Sequence, residues 1–305
     1  MSVFQLGPIL KARREELGLS QEDLADGICS VPTLSRIENG ERMPTKNHFE
    51  MLMQRLGYSA VSLDFFTDKQ DFLVHELKFK IRQAYVDKNY SLTQILMDNL
   101  EEILCEPTKI DQQFIILHKT FLNQNNLSNL EKLQQYEHAI RLTCPKYIEK
   151  HIPRVLSYDE IILLNNIAIC YAVEGFNERA ISILTTVKDY YDHHVISKEE
   201  ALRTQPMILY NLSKYQGLSG QFDECIETCD VAIRMARTTG RCLLLSKTLY
   251  NKGWALLRRN QSGDKEAAEN ALKHAYFVSV TMEQNSDRER IKKLFEETFK
   301  KPLSV

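Results

Sequence analysis

Apolar residues recur at helical spacing from the start of this chain to its end, with only brief breaks, and this period predicts an all-α protein. Leu6, Ile9, Leu10 and Leu17 share one face of a first helix, which is expected to stop at Gly18. Ser20 then precedes Gln21, Glu22 and Asp23, offering a hydroxyl acceptor for free amide protons and carboxylates for the positive end of a second helix. That helix runs to about Asp26 or Gly27. After a short turn, Ser30 is placed to cap a third helix, with Pro32 in its first turn, where a missing amide proton costs little. It continues through Ile37 to Asn39-Gly40, and Pro44 to Leu56 supply a fourth helix. Leu24, Ala25, Leu34, Ile37, Phe49, Leu52 and Leu56 fall on inward faces and are expected to form one small core.

Two short helices joined by a tight turn, the second presenting its amino end, have the shape that enters a DNA major groove. The stretch Leu19-Ser-Gln-Glu-Asp-Leu-Ala25, followed by Ser30-Val-Pro-Thr-Leu-Ser-Arg-Ile-Glu-Asn-Gly40, resembles the helix-turn-helix of Cro and phage repressors. The resemblance implies base contacts from Ser30, Val31, Pro32 and Thr33, with Arg36 one turn on. Val31 and Pro32 offer only apolar contact, such as to a thymine methyl, which leaves Thr33 and Arg36 for hydrogen bonds. Gln21 and Asn39 match phosphate-holding positions, and Arg13, Arg42 and Lys46 are further cationic candidates. Arg14 and Glu38 match a pair that ties the first helix to the end of the third, a structural role.

Beyond residue 68 three segments repeat one grammar. Leu164-Asn-Asn-Ile-Ala-Ile-Cys-Tyr171 precedes Gly175-Phe-Asn-Glu-Arg-Ala180; Leu209-Tyr-Asn-Leu-Ser213 precedes Gly220-Gln-Phe-Asp-Glu-Cys225; Leu249-Tyr-Asn-Lys-Gly253 precedes Asp264-Lys-Glu-Ala-Ala268. Each pairs a helix carrying a small residue (Ala168, Ser213, Gly253) with a second helix carrying another (Ala180, Cys225, Ala268), so that the two approach closely. Packing positions follow at Leu184, Cys229 and Leu272, then at Val187, Ala232 and Ala275. This is the tetratricopeptide (TPR) pattern, although the 45- and 43-residue intervals from Ala180 to Cys225 to Ala268 exceed the usual ~34. Two weaker pairs come earlier, Phe72 to Val86 with Ser91 to Leu104 and Asp111 to Phe121 with Leu127 to Thr143, and a last helix spans about Asp287 to Phe299. The expected organisation is a helix-turn-helix domain at 1–66, a linker at 67–71, and a right-handed TPR-like α-superhelix at 72–305 of about five hairpins and a final helix.

Stacked hairpins leave a concave groove lined by the first helix of each pair, a surface suited to an extended peptide. Asn166, Asn211 and Asn251 recur at one repeat position, where ordinary packing is the competing role. Asn165, Tyr210 and Tyr250 lie one position earlier, and Ile169, Lys214 and Trp254 one turn later, at positions that usually face the groove in this repeat family. The expected ligand contacts are therefore Asn165, Ile169, Tyr210, Asn211, Lys214, Tyr250, Asn251 and Trp254. Lys214 suits a peptide carboxylate, the amides suit peptide backbone, and the aromatic rings suit apolar side chains.

Composition narrows the alternatives. Apolar residues at 43% and charged residues at 26% belong to a folded protein rather than a disordered one. No apolar run approaches the roughly 18 residues of a membrane span, and the first ten residues lack a secretion-signal layout, so a cytoplasmic location is expected. The net charge is −2, and within residues 1–66 Lys11, Arg13, Arg14, Arg36, Arg42, Lys46 and Arg55 face Glu15, Glu16, Glu22, Asp23, Asp26, Glu38, Glu41, Glu50 and Asp64. DNA affinity must therefore come from a few well-placed cations and not from a general positive field. The seven cysteines show no CxxC spacing, and reduced, mostly buried thiols are expected. His193-His194 and Cys225-x-x-x-Cys229 are the only small clusters of reactive side chains, and no phosphate loop, nucleotide fingerprint or HExxH pair occurs. Neither enzyme activity nor a metal or cofactor is expected.

One helix-turn-helix of this type followed by about five TPR-like hairpins resembles the RRNPP regulators of Gram-positive bacteria, nearest to the PlcR and Rgg branches. The resemblance covers nearly the whole chain. It implies a homodimeric, quorum-sensing transcription regulator that binds double-stranded DNA and whose TPR domain also binds a short signalling peptide. An array that binds a folded protein partner, or serves only to dimerise, is the competing possibility.

Overall fold

The computed structural model describes residues 3–56, 69–147, 152, 156–193 and 198–303, and every regular element among them is an α-helix. Residues 67–68 of the expected linker, His194 and the side chain of Lys46 lie outside the described part.

Four helices form the amino-terminal head: α1 (Val3–Glu16), α2 (Gln21–Ala25), α3 (Val31–Glu38) and α4 (Lys46–Arg55). Their starts are set by side chains acting over three residues. Ser20 accepts from the Asp23 amide while the Asp23 carboxylate accepts from the Ser20 amide; Ser30 accepts from Thr33, and Thr45 from His48. Each such cap contributes about 1 kcal/mol. Helices of five and eight residues do not persist alone, however, and packing supplies the rest. Leu10, Leu24, Leu34, Ile37, Leu52 and Leu56 are fully buried, with Phe49 partly buried beside them. The Arg14 guanidinium forks onto Glu38, with Nε at 2.6 Å and Nη2 at 3.0 Å, and ties α1 to the end of α3.

The chain forms two compact units, residues 1–170 and 171–305. The first contains the head together with α5 (Lys69–Val86), α6 (Tyr90–Ile103), α7 (Lys109–Leu122), α8 (Asn129–Thr143) and most of α9 (Tyr158–Val173). Ile81, Met97, Leu100 and Phe114 form the core of its repeat portion. The head is packed onto these repeats, which is why compactness does not divide the chain near residue 66. Ile110 of α7 belongs to the head's own core. Arg55, at the end of α4, is buried; it donates to the carbonyls of Asp26 and, at 3.2 Å, Thr143, and lies 3.7 Å from the Glu160 carboxylate. Gly27, at φ +74°, lies so close that a Cβ there would stand 2.5 Å from the Thr143 oxygen.

The second unit contains α10 (Asn177–His193), α11 (Lys198–Leu218), α12 (Phe222–Thr239), α13 (Leu245–Arg259), α14 (Asp264–Thr281) and α15 (Asn285–Phe299), each packed on the next. The small residues do the work their spacing suggests. Ser213, Gly253, Cys225 and Ala268 are buried, as are Cys229, Leu272, Ala232 and Ala275 after them. A Cβ on Gly253 would stand 2.8 Å from Leu272 Cγ, so α13 and α14 touch at a point where no larger residue fits.

Candidate functional site

The leading end of α3 faces solvent. Ser30, Val31 and Pro32 are exposed and Thr33 is half-buried. The Ser30 and Thr33 hydroxyls lie 2.8 Å apart, so the cap that starts the helix also fixes two polar groups at its tip. Arg36, one turn on, is exposed and has no side-chain partner among the described residues; Arg42 and Asn39 are exposed in the same way. The other guanidiniums of the head are engaged. Arg13 donates to the Leu56 carbonyl at 3.2 Å and pairs with Glu16 at 2.8 Å, Arg14 holds Glu38, and Arg55 is buried. Gln21 donates to Glu38 at 2.8 Å and so joins the α1–α3 brace.

The proposed ligand contacts fall in both units and are placed differently. In the first unit Asn165 is buried and hydrogen-bonded, and Ile169 is half-buried on the same helix. In the second, Asn211 is buried with a partner of its own. Asn251 donates to Ser213 Oγ at 3.1 Å and to the Tyr210 carbonyl at 3.4 Å, so its amide fastens α13 to α11. Trp254 packs beside Cys225, Cys229 and Phe222 in the seam between α12 and α13, with the Arg258 guanidinium 5.3 Å from its ring. Tyr210, Tyr250 and Lys214 remain partly or largely open to solvent. Half-burial and the nearby charges of Arg290 and Lys247 hold the Lys214 ammonium below its ordinary pKa. Cys225 and Cys229 are one turn apart and buried, as expected of structural thiols.

A second polar cluster was not singled out from the sequence. In the first unit Lys78 pairs with Asp111 at 2.5 Å and Arg82 with Asp159 at 2.8 Å, and the Arg82 guanidinium lies 4.9 Å over the Phe114 ring. Arg82 Nε and Asp159 Oδ1 are buried without a hydrogen-bond partner. His118 stacks on Phe114, with ring centroids 4.0 Å apart. Burial pushes its pKa down to about 4, with Arg82 and Lys78 adding to the effect and Asp159 opposing it. Burial alone would raise the Asp159 carboxyl, but the charge and hydrogen bond of Arg82, with His118 and Lys78, together outweigh it and hold the group below the usual carboxylate range. The available signal was Lys78 and Arg82 one turn apart on α5, a spacing shared by many solvated pairs.

Residues 10–63 match a helix-turn-helix family model, and residues 78–286, more than half of the chain, match the model of the RNPP family C-terminal domain. No curated protein sequence matches. Among solved structures the fold is similar to that of PlcR from Bacillus thuringiensis in complex with the peptide PapR7 and DNA, at 19% identity and TM-score 0.58 over 94% of this chain and 99% of that one. The apo form of PlcR gives 18% identity and TM-score 0.57 over 94% and 98%. The competence regulator ComR from Streptococcus vestibularis, also in its apo form, gives 16% identity and TM-score 0.56 over 97% and 99%.

Proposed function

This chain belongs to the RNPP family, and from that premise we propose that it is a sequence-specific DNA-binding transcription regulator controlled by a short signalling peptide. The family is one of regulators rather than enzymes, and no catalytic step is assigned. Residues 1–66 act as the DNA-reading head and residues 72–305 as the peptide-binding and dimerising array. No described helix is long and apolar enough to cross a membrane, in keeping with a protein that works beside DNA in the cytoplasm.

The observation that carries this reading is the free, solvent-facing start of α3, with Arg36 unpaired while Arg14 and Arg55 are tied into the structure. Arg36 reaches a base edge and Thr33 supplies a second hydrogen bond. Val31 and Pro32, with Ser30 capping beside them, make apolar contact with a thymine methyl. Gln21, Asn39, Arg42, Lys46 and Arg13 set the register through phosphates. On the array, Tyr210, Tyr250 and Lys214 meet the peptide directly; the buried Asn211 supports them from within the same unit, and Asn165 and Ile169 are the first unit's members of the peptide-binding set. Asn251 and Trp254 shape that surface from the seams they occupy. A peptide regulates the head to the extent that it binds one head arrangement more tightly than another.

The test begins with sequencing the DNA bound by the full-length protein. Mobility shifts on the recovered site should show sequence-specific binding by wild type and its loss in Arg36→Ala, with helical circular dichroism unchanged. Unaltered specificity in the variant removes Arg36 from the reading set. A wild-type protein that enriches no sequence defeats the regulator reading.

A further inference from the structure

The first helices of the last two hairpins and the terminal helix bring cations together that no repeat pattern marks. Lys247 of α13 lies 5.9 Å from the Tyr210 ring of α11, and Arg290 of α15 lies 4.4 Å from the Tyr250 ring of α13. Arg290 also lies close enough for its charge to act on the Tyr210 hydroxyl, so Tyr210 stands near both cations. Lys214, one helical turn after Tyr210, lies 5.2 Å from the Tyr215 ring, is close enough to Arg290 and Lys247 to feel both charges, and has no carboxylate partner among the described residues. Among the described residues the acid paired with these cations is Asp287, which lies 3.3 Å from Arg290 and 3.6 Å from Lys247 and is therefore shared. Among the described residues, three positive charges share one paired carboxylate, which leaves a surplus of about two beside the aromatic rings. The depressed Lys214 pKa, due first to its burial and then to Arg290 and Lys247, is the cost of that arrangement.

A surplus of this kind is stabilised by an anion that arrives with its own binding partner. A guanidinium fork and two ammonium groups match the two oxygens of a carboxylate, and Asp287 within the cluster disfavours a dianionic phosphate. The cluster is a local patch on three helices rather than a track of cations, which argues against a nucleic-acid backbone. We propose that Lys214, Lys247 and Arg290 form a carboxylate-binding site between α11, α13 and α15 that receives an acidic group of the peptide ligand. The proposal rests on the reading of the array as a peptide receptor. Tyr210 and Tyr250 wall the site, and Asp287 holds Lys247 and Arg290 in place until the ligand carboxylate joins them.

The experiment uses the full-length protein and a randomised heptapeptide library made twice, with free-acid and with amidated C-termini, and each again with and without Asp and Glu. Retained peptides are identified by mass spectrometry. The expected result is a preference of about tenfold or more, equivalent to 1.4 kcal/mol, for peptides carrying a carboxylate. The preference should vanish in the double variant Lys214→Gln/Arg290→Gln and persist in Lys252→Gln, which removes a nearby cation that already pairs with Asp230 at 2.5 Å. Preference that follows the terminus assigns the site to the C-terminal carboxylate, and preference that follows Asp or Glu assigns it to a side chain; either supports the site. Retention without regard to carboxylates overturns the site and leaves the receptor intact, as does equal loss in Lys252→Gln, which marks bulk charge. Should wild type retain no peptide from any arm, the receptor reading itself falls and the site with it.

Discussion

Arg55 shows how much a single charged side chain is made to do in this molecule. It is buried at the end of α4 among the Asp26 and Thr143 carbonyls, Cys144 and the Glu160 carboxylate. Glu160 in turn accepts from Thr143 Oγ1 at 2.6 Å, Cys144 Sγ at 3.0 Å and the Ser157 amide at 2.7 Å. Burial alone would raise its pKa, but the Arg55 charge and these donors outweigh that and hold it below the usual range. Arg55→Ala leaves Glu160 buried without its cation and is expected to cost about 3–5 kcal/mol in urea unfolding, whereas replacing both residues by apolar ones of similar volume should cost much less. Acid dependence follows from the same groups. Because the folded Glu160 carboxyl titrates below the unfolded one, its contribution is complete above about pH 4.3 and is lost as pH falls through the depressed folded value. His118 acts earlier: its folded pKa of about 4 lies below the ordinary 6.5, so the unfolded chain takes up the proton first and stability falls as pH drops from 6.5 to 4. Unfolding free energies across that window should decline by up to about 3 kcal/mol in wild type and distinctly less in His118→Gln.

Helices in this chain owe their ends to local chemistry and their persistence to neighbours. The caps at Ser20 and Ser30 were legible because each acts within three residues of sequence. The repeat grammar was legible for a related reason, since a small residue recurring at one position means that a second helix passes there. Gly253 is the tightest instance, and Gly253→Val is expected to lower stability by about 1–3 kcal/mol or more through displacement of Leu272. Thermal unfolding followed by circular dichroism reads this directly, while Gly175→Ala, where a Cβ meets nothing within 4 Å, reports only the strain of a positive φ. Groove-facing assignments were harder to read. Trp254 is at a repeat position that usually faces the groove, and its ring packs beside Cys225 and Cys229; Asn251 is at the position where packing competes, and its amide holds Ser213. Repeat spacing alone does not say how deep such a side chain sits between its neighbouring helices; packing does.

At the scale of the molecule, net charge says little and placement says almost everything. With a formal charge of −2 the chain has no general field to draw it to DNA, so binding must depend on the few cations of the head that lack internal partners. Arg42→Ala should weaken binding to all sequences alike and reduce the slope of log K against log salt by about 1 per head, measured by fluorescence anisotropy. Arg36→Ala should instead relax preference among sequences. Equal behaviour of the two variants would mean that α3 does not read bases.

By itself the sequence determined the helical class, the helix-turn-helix, the hairpin pairs and the small residues at their contacts, because periods, caps and stops are written within one or two turns of chain. Only the tertiary structure decided which charges are free. Arg13, Arg36, Arg42 and Arg55 look alike in one dimension, but Arg55 meets a carbonyl 88 residues away and Arg36 meets water. The same holds for Lys247 and Arg290, which meet Tyr210 and Tyr250 only because α11, α13 and α15 stack. Partner choice by a charge is set by distance and burial, and these exist only once helices far apart in sequence have packed.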